Sequence, residues 1–118
     1  MQIRFFSAIN GEKTLYYEGV ARWNEQSIDF HTSSQEYFQF RKTLQGIEIE
    51  KRSEVSMKGT FLLNRPSILK MQFQNQTLPI EIVTRSLTFT PTKLMIEYAM
   101  MEHQTIVSQH QILIERNQ

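Results

Sequence analysis

The chain contains no cysteine, which excludes disulfide bonds, thiolate metal sites and cysteine nucleophiles. The first residues, Met1 to Phe6, show neither the apolar run nor the cleavage site of a secretory signal, and no later stretch approaches the ~20 apolar residues that a membrane helix needs. Basic and acidic residues nearly balance, 13 against 12, so there is no basic field to hold a nucleic acid. We therefore expect a cytoplasmic protein that binds neither nucleic acid nor membrane.

Glycine is also scarce, and its four positions lie well apart. A phosphate-binding loop or a dinucleotide fingerprint needs clustered glycines, and the nucleophile elbow of hydrolases is absent as well. Glu48 and Glu50 share one face of a strand, as a carboxylate pair in a glycosidase would. The alternating residues Ile47 and Ile49 are expected in the core, so the two glutamates are expected to face water. The sequence therefore predicts a protein that is not an enzyme and needs no cofactor.

Histidine is the remaining candidate for metal binding. His103 and His110 are an odd number of residues apart, so in one extended strand they would point to opposite faces. His31 follows Asp29 on the polar face of its segment, where a solvent-facing histidine is expected. No metal site is predicted.

What the chain does contain is alternation of apolar and polar residues. Two segments rich in aromatic and β-branched residues, Gln2–Ile9 and Glu12–Trp23, flank Asn10-Gly11, a strong signal for a hairpin turn. In the second segment Gly19 indicates a bulge or bend. One face of that segment is predicted to carry Leu15, Tyr17, Ala21 and Trp23.

The same period of two continues to the end of the chain, without a sustained helical period. It predicts an all-β fold with a single domain over residues 1–118: an antiparallel, up-and-down β-barrel of about 8–10 strands, because closure removes exposed sheet edges. Glu48, Glu50, Glu81 and Glu97 are predicted to face water. Inward-facing positions are predicted at Ile28, Phe30, Phe38, Phe40, Ile47, Ile49, Val55, Met57, Phe61, Leu69, Met71, Phe73, Ile80, Ile82, Leu87, Phe89, Leu94, Ile96, Tyr98, Met100, Ile106, Ile112 and Ile114.

Several short stretches resemble a known family. They are Ile47–Ser53 with Met57 four residues later, Met71–Phe73, Ile80–Thr84, Leu94–Tyr98 and Gln109–Ile114. Together they resemble the YwiB-like family of bacterial proteins. The resemblance implies a calycin-type, lipocalin-like barrel of bacterial origin and transfers no catalytic residue.

Polar residues on the predicted inner face point to function, because a buried polar group must bond to a neighbour, to water or to a ligand. Together with two aromatic residues of the second segment and an arginine that a bulge near Ser53 would bring to the barrel mouth, they form the candidate ligand-binding set: Tyr17, Trp23, Arg52, Thr84, Tyr98, Ser108 and His110. The leading hypothesis is a barrel that binds a small apolar or amphipathic molecule in its interior. The alternative is a protein-interaction or structural module whose barrel is filled by its own side chains. An enzyme that uses His110 and Tyr98 ranks last.

Overall fold

The computed structural model describes residues 1–117, which form one antiparallel sheet of 11 strands. Each strand pairs with its neighbours in the order β2-β1-β11-β10-β9-β8-β7-β6-β5-β4-β3. The strands are β1 (Gln2–Ile9), β2 (Glu12–Val20), β3 (Arg22–Trp23), β4 (Ser27–Ser33), β5 (Glu36–Lys42), β6 (Gly46–Arg52), β7 (Val55–Leu62), β8 (Pro66–Phe73), β9 (Gln76–Phe89), β10 (Lys93–Glu102) and β11 (Thr105–Arg116).

The sheet curls into a nearly closed barrel, which confirms the predicted all-β, up-and-down architecture. The strand count exceeds the expected 8–10. The segment Glu12–Trp23 divides at Ala21 into β2 and β3. Conversely, the sequence shows two alternating segments, Leu78 to Thr84 and Ser86 to Phe89, that lie in the single strand β9. Arg85 between them is a bulge: it is an extra residue in the pairing of β9 with β10, and the alternation changes parity there. In the described residues no helix is long and apolar enough to cross a membrane.

The turns alternate between two ends of the barrel. We call the end that contains Trp23, the turn Asn24–Gln26 and the end of β11 the Trp23 end, and the opposite end the Tyr16 end. Asn10 and Gly11 at the Tyr16 end have φ of 51° and 87°. Positive φ at both central residues is what a tight two-residue hairpin requires, so the predicted hairpin is confirmed.

Alternation correctly predicted which side chains fill the barrel. Phe38, Ile49 and Ile82 are 4%, 2% and 0% exposed. Glu81 is exposed, and Glu48 pairs with Arg41 across the outer face. The period of two therefore identifies the core over most of the sheet, because burying one face of each strand is what drives the sheet to curl.

The inward prediction was wrong where a bulge changes the parity. Phe5 pairs with Tyr17 and Phe6 with Leu15, so Tyr16 is an extra residue and Leu15 turns outward, 49% exposed. Val107 is likewise extra between the partners of Met100 and Met101, and Ile106 is 50% exposed on the outer side. One inserted residue exchanges the two faces of a strand beyond it.

Two further expectations need correction. Gly19 is in regular register opposite Ile3, so it is not the bulge. It leaves room for the ring of Tyr17, which lies where a Cβ on residue 19 would be. Phe73 is 44% exposed because β8 ends there, beside the turn at Gln74, beyond the core.

Side chains close the seam where the two ends of the sheet meet. The ring of Tyr17 on β2 stacks on that of Phe30 on β4, with centroids 5.4 Å apart and an interplanar angle of 4°. The hydroxyl of Tyr17 donates to the carbonyl oxygen of Val20 at 3.0 Å. Aromatic packing thus replaces a backbone ladder along this seam.

Candidate functional site

The protein's own side chains fill the barrel interior. The ring centroid of Phe5 lies 5.2 Å from that of Phe38 and 5.5 Å from that of Phe30. Phe40 and Phe61 are fully buried in the same cluster. Five cavities lined by the described residues all open to solvent, at the barrel ends or on the outer face. Room for a ligand in these cavities therefore lies at the ends of the barrel or on its outer face.

Four of the predicted site residues form one group on the inner wall. Tyr98 on β10 lies between Thr84 on β9 and His110 on β11, because these residues are cross-strand partners. The rings of Tyr98 and His110 stack with centroids 5.0 Å apart and an interplanar angle of 10°. Ser108 Oγ lies 2.7 Å from His110 Nε2. Sequence parity had placed these residues on one face, and the register brings them into contact.

Burial keeps this group neutral. It raises the pKa of Tyr98 to about 12 and lowers the pKa of His110 below its ordinary value. A neutral imidazole beside a serine hydroxyl is half of a nucleophile-base arrangement. No carboxylate contacts His110 within residues 1–117 to orient the ring, so the arrangement is incomplete.

Thr84 is the exception in the group. Its side chain is fully buried, and its hydroxyl has no hydrogen-bond partner among the described residues. Burying an unpaired hydroxyl costs about 1–3 kcal/mol of desolvation, so the hydroxyl of Thr84 lowers the stability of the core.

The other predicted site residues lie elsewhere. Tyr17 belongs to the seam, and Trp23 lies at the opposite end from Ser108 and His110. Arg52 was expected at the barrel mouth, but it is exposed on the outer face. Its Nε donates to Glu50 Oε1 at 2.8 Å, and its guanidinium lies 5.2 Å from the centroid of the Tyr37 ring. The chain turns at Ser53–Glu54 without a bulge that would swing Arg52 inward, so this expectation was wrong.

A polar cluster at the Tyr16 end was missed in the sequence. The hydroxyl of Tyr16 lies 2.9 Å from both carboxylate oxygens of Glu36, and Thr32 Oγ1 donates to the same carboxylate. Lys51 Nζ lies 3.6 Å from Glu36 Oε2. The cluster links β2, β4, β5 and β6 across the seam. The cluster depends on the bulge at Tyr16, which the alternation of apolar and polar residues does not reveal.

The charges in this cluster are set by its contacts. Burial raises the pKa of Tyr16, and the bond to the Glu36 carboxylate raises it further, to about 12. Burial also acts to raise the pKa of Glu36, but hydrogen bonds from Thr32 and Tyr16 and the charge of Lys51 outweigh it and lower that pKa overall. Glu36 is therefore an ionised carboxylate with hydrogen-bond and ion-pair partners, which suits a role in holding the strands together better than a role as a catalytic acid.

A pocket of about 510 Å³ opens at the Trp23 end. We call it the Trp23 pocket. The rings of Trp23 and Phe89 meet edge to face in it, with centroids 6.5 Å apart. The indole Nε1 of Trp23 is buried and has no hydrogen-bond partner among residues 1–117. Its lining comprises Met1, Trp23, Asn24, Glu25, Gln26, Lys42, Phe89, Thr90, Pro91 and Arg116.

Local bonds fix the rim of the Trp23 pocket. Asn24 Oδ1 accepts hydrogen bonds from the backbone N–H groups of Gln26 and Ser27, at 2.8 and 2.9 Å. The N–H of Lys42 donates to the carbonyl of Gln26 at 2.7 Å, which ties the end of β5 to this turn. The pocket therefore has an apolar floor and an ordered polar rim, which is the usual form of a small-molecule site.

The histidines do not gather into a metal site. His103 lies in the turn before β11 with φ of 50°, not in a strand with His110. His31 is exposed and packs against the ring of Tyr37, with centroids 4.9 Å apart. Within residues 1–117 no three His, Asp or Glu side chains are grouped as metal ligands.

These features define a class: an antiparallel β-barrel with an aromatic core and with pockets that open at its ends. The fold is similar to that of the ywiB protein from Bacillus subtilis, known from a crystal structure, with a TM-score of 0.66 and 14% sequence identity. The match covers 99% of this chain and 91% of that one. No family model matches the chain, and no curated protein does. The likeness confirms a YwiB-like fold, while the calycin or lipocalin grouping stays a prediction.

Proposed function

We propose that the protein is a non-enzymatic binding protein that holds a small amphipathic molecule in the Trp23 pocket. The observation that carries this proposal is a pocket of about 510 Å³ in which the rings of Trp23 and Phe89 meet edge to face. That volume lies within the range of roughly 300–1,000 Å³ for ligand pockets. A ligand with an apolar body and a polar end would cover the rings and keep its polar end at the rim.

We place the site at the end of the barrel and not in the lumen, where the sequence suggested it, because buried aromatic side chains occupy the lumen. Ala21 lies two residues before Trp23 in the chain and is only 4% exposed, so the barrel interior is occupied there. A molecule in the lumen would have to displace buried rings, whereas one in the Trp23 pocket would not.

The test follows the single tryptophan of the chain, whose indole ¹⁵N–¹H resonance is therefore unique. Titration with 2-naphthol, an uncharged amphipathic probe, should shift this resonance saturably, with affinity on the order of micromolar or weaker. The variant Phe89→Leu removes the second ring of the floor and should weaken binding, while Phe73→Leu, at an exposed phenylalanine of the other end, should not.

Two results would overturn the proposal. One is an indole resonance that does not respond to the probe at millimolar concentration. The other is equal weakening by Phe89→Leu and Phe73→Leu, which would indicate nonspecific adsorption.

A second function, a protein-interaction module with a solid barrel, is favoured by the apolar side chains exposed around the Tyr16 end. Phe73, Leu78 and Ile9 are 44%, 60% and 51% exposed. A partner that covers these side chains would remove their apolar surface from water. A failed titration of the Trp23 pocket would leave this function as the better account.

A further inference from the structure

The charged groups around the Trp23 pocket are unbalanced. Lys42 and Arg116 both line it, against the single carboxylate of Glu25. Neither cation forms an ion pair within residues 1–117. Elsewhere on the barrel Arg4 and Arg22 each lie 2.9 Å from a carboxylate oxygen. The pocket thus holds two cations that the described part of the chain does not neutralise.

Several polar groups of the pocket already have a place in the fold. The indole Nε1 of Trp23 is buried from solvent, so it does not open into the pocket. The one side-chain acceptor fixed at the rim, Asn24 Oδ1, already accepts two backbone N–H groups. The hydroxyl of Thr90 donates to the carbonyl of Lys93 at 3.3 Å. The side-chain charges that remain for the polar end of a ligand are therefore the two cations, opposed by Glu25.

We infer that the ligand of the Trp23 pocket is an aromatic or similarly flat monocarboxylate, bound with its ring on Trp23 and Phe89 and its carboxylate toward Lys42 and Arg116. This inference rests on the proposed function. Planar apolar groups suit an edge-to-face aromatic floor, and charge-assisted hydrogen bonds from the cations hold a carboxylate more strongly than a neutral acceptor. Glu25 disfavours a second negative charge, which selects a monoanion.

The inference is tested with three probes of the same shape and different charge: 2-naphthoate, 2-naphthamide and 2-naphthylmethylamine, which is cationic at pH 7. The Trp23 indole resonance reports occupancy for each. The naphthoate should bind roughly three- to tenfold more tightly than the amide at low salt, and the amine more weakly than the amide. Added salt should reduce the preference for the anion.

Charge variants locate the effect. Lys42→Met should remove most of the preference for naphthoate over naphthamide while leaving amide binding within about twofold. Lys58→Met, at an exposed lysine on β7, is the matched control and should change neither affinity. Glu25→Gln should strengthen naphthoate binding by roughly two- to fivefold.

The outcomes separate this inference from the proposed function. If naphthoate and naphthamide bind equally, or the amine binds best, the inference fails and the binding function stands. If none of the three shifts the Trp23 resonance, the proposed function fails and the inference with it. If Lys58→Met reduces the anion preference as much as Lys42→Met does, the preference reflects overall charge, and the assignment to the pocket is wrong.

Discussion

Replacing Thr84 by valine tests the unpaired hydroxyl in the wall of the barrel. Thr84 is 0% exposed, and its Oγ1 has no partner among the described residues. Valine has the same branched shape, so the substitution removes the hydroxyl without opening a cavity. The desolvation cost of an unsatisfied buried hydroxyl is about 1–3 kcal/mol, so we expect the free energy of unfolding to rise by about 1–2 kcal/mol.

The assay is urea unfolding followed by circular dichroism, with the midpoint expected to rise at an unchanged slope. The melting temperature should rise by roughly 3–10 °C for a domain of this size. Thr60→Val is the control: Thr60 is a half-buried residue opposite Glu48 on the outer face, and its substitution should change stability by less than about 0.5 kcal/mol.

A Thr84→Val variant that is less stable than the parent by about 1 kcal/mol would refute this reasoning, because the hydroxyl would then have a partner in solution. A buried water is the simplest such partner, since it bonds polar groups that the chain leaves unsatisfied.

Three further predictions concern the seam, the inner wall and the core. Glu36→Gln should lower the free energy of unfolding by about 1–3 kcal/mol at pH 7, because it removes the charged acceptor of Tyr16 and Thr32. The folded pKa of Glu36 is lowered from 4.5, so its contribution to stability is present above that value and is lost as pH falls through the folded pKa. The free energy of unfolding in urea should therefore differ less between pH 7 and pH 3 in the variant than in the parent. An equal difference would contradict a stabilising role for the Glu36 carboxylate. Burial lowers the pKa of His110 from 6.5, so its contribution is likewise whole above 6.5 and fades as pH falls toward the folded value; an NMR titration should give a pKa below 6.5, and a normal or raised value would defeat the idea. Ala21→Phe should lower the free energy of unfolding by roughly 1–3 kcal/mol through overpacking at a residue 4% exposed, measured by urea unfolding, and a variant of parental stability would reveal space that the packed core does not show.

The sequence by itself determined the fold class and most of the core. Alternation identified Phe38, Ile49 and Ile82 as buried, and Asn10-Gly11 as a hairpin turn. Both signals are local: the side-chain period of a strand is two, and a tight turn needs residues that tolerate positive φ. The same parity placed Tyr98 and His110 on one face, and the strand register made them neighbours.

Only the tertiary structure decided where the bulges fall and what they assemble. An extra residue at Tyr16 depends on how β2 pairs with β1, and it turns Leu15 outward while bringing Tyr16 to Glu36, 20 residues away in the chain. The Trp23 pocket likewise joins a turn, the end of β5 and the end of β11. The period of a single strand contains no information on pairing register or on which distant residues meet. Alternation therefore predicted which side chains face the barrel interior, but it predicted neither the seam nor the Trp23 pocket.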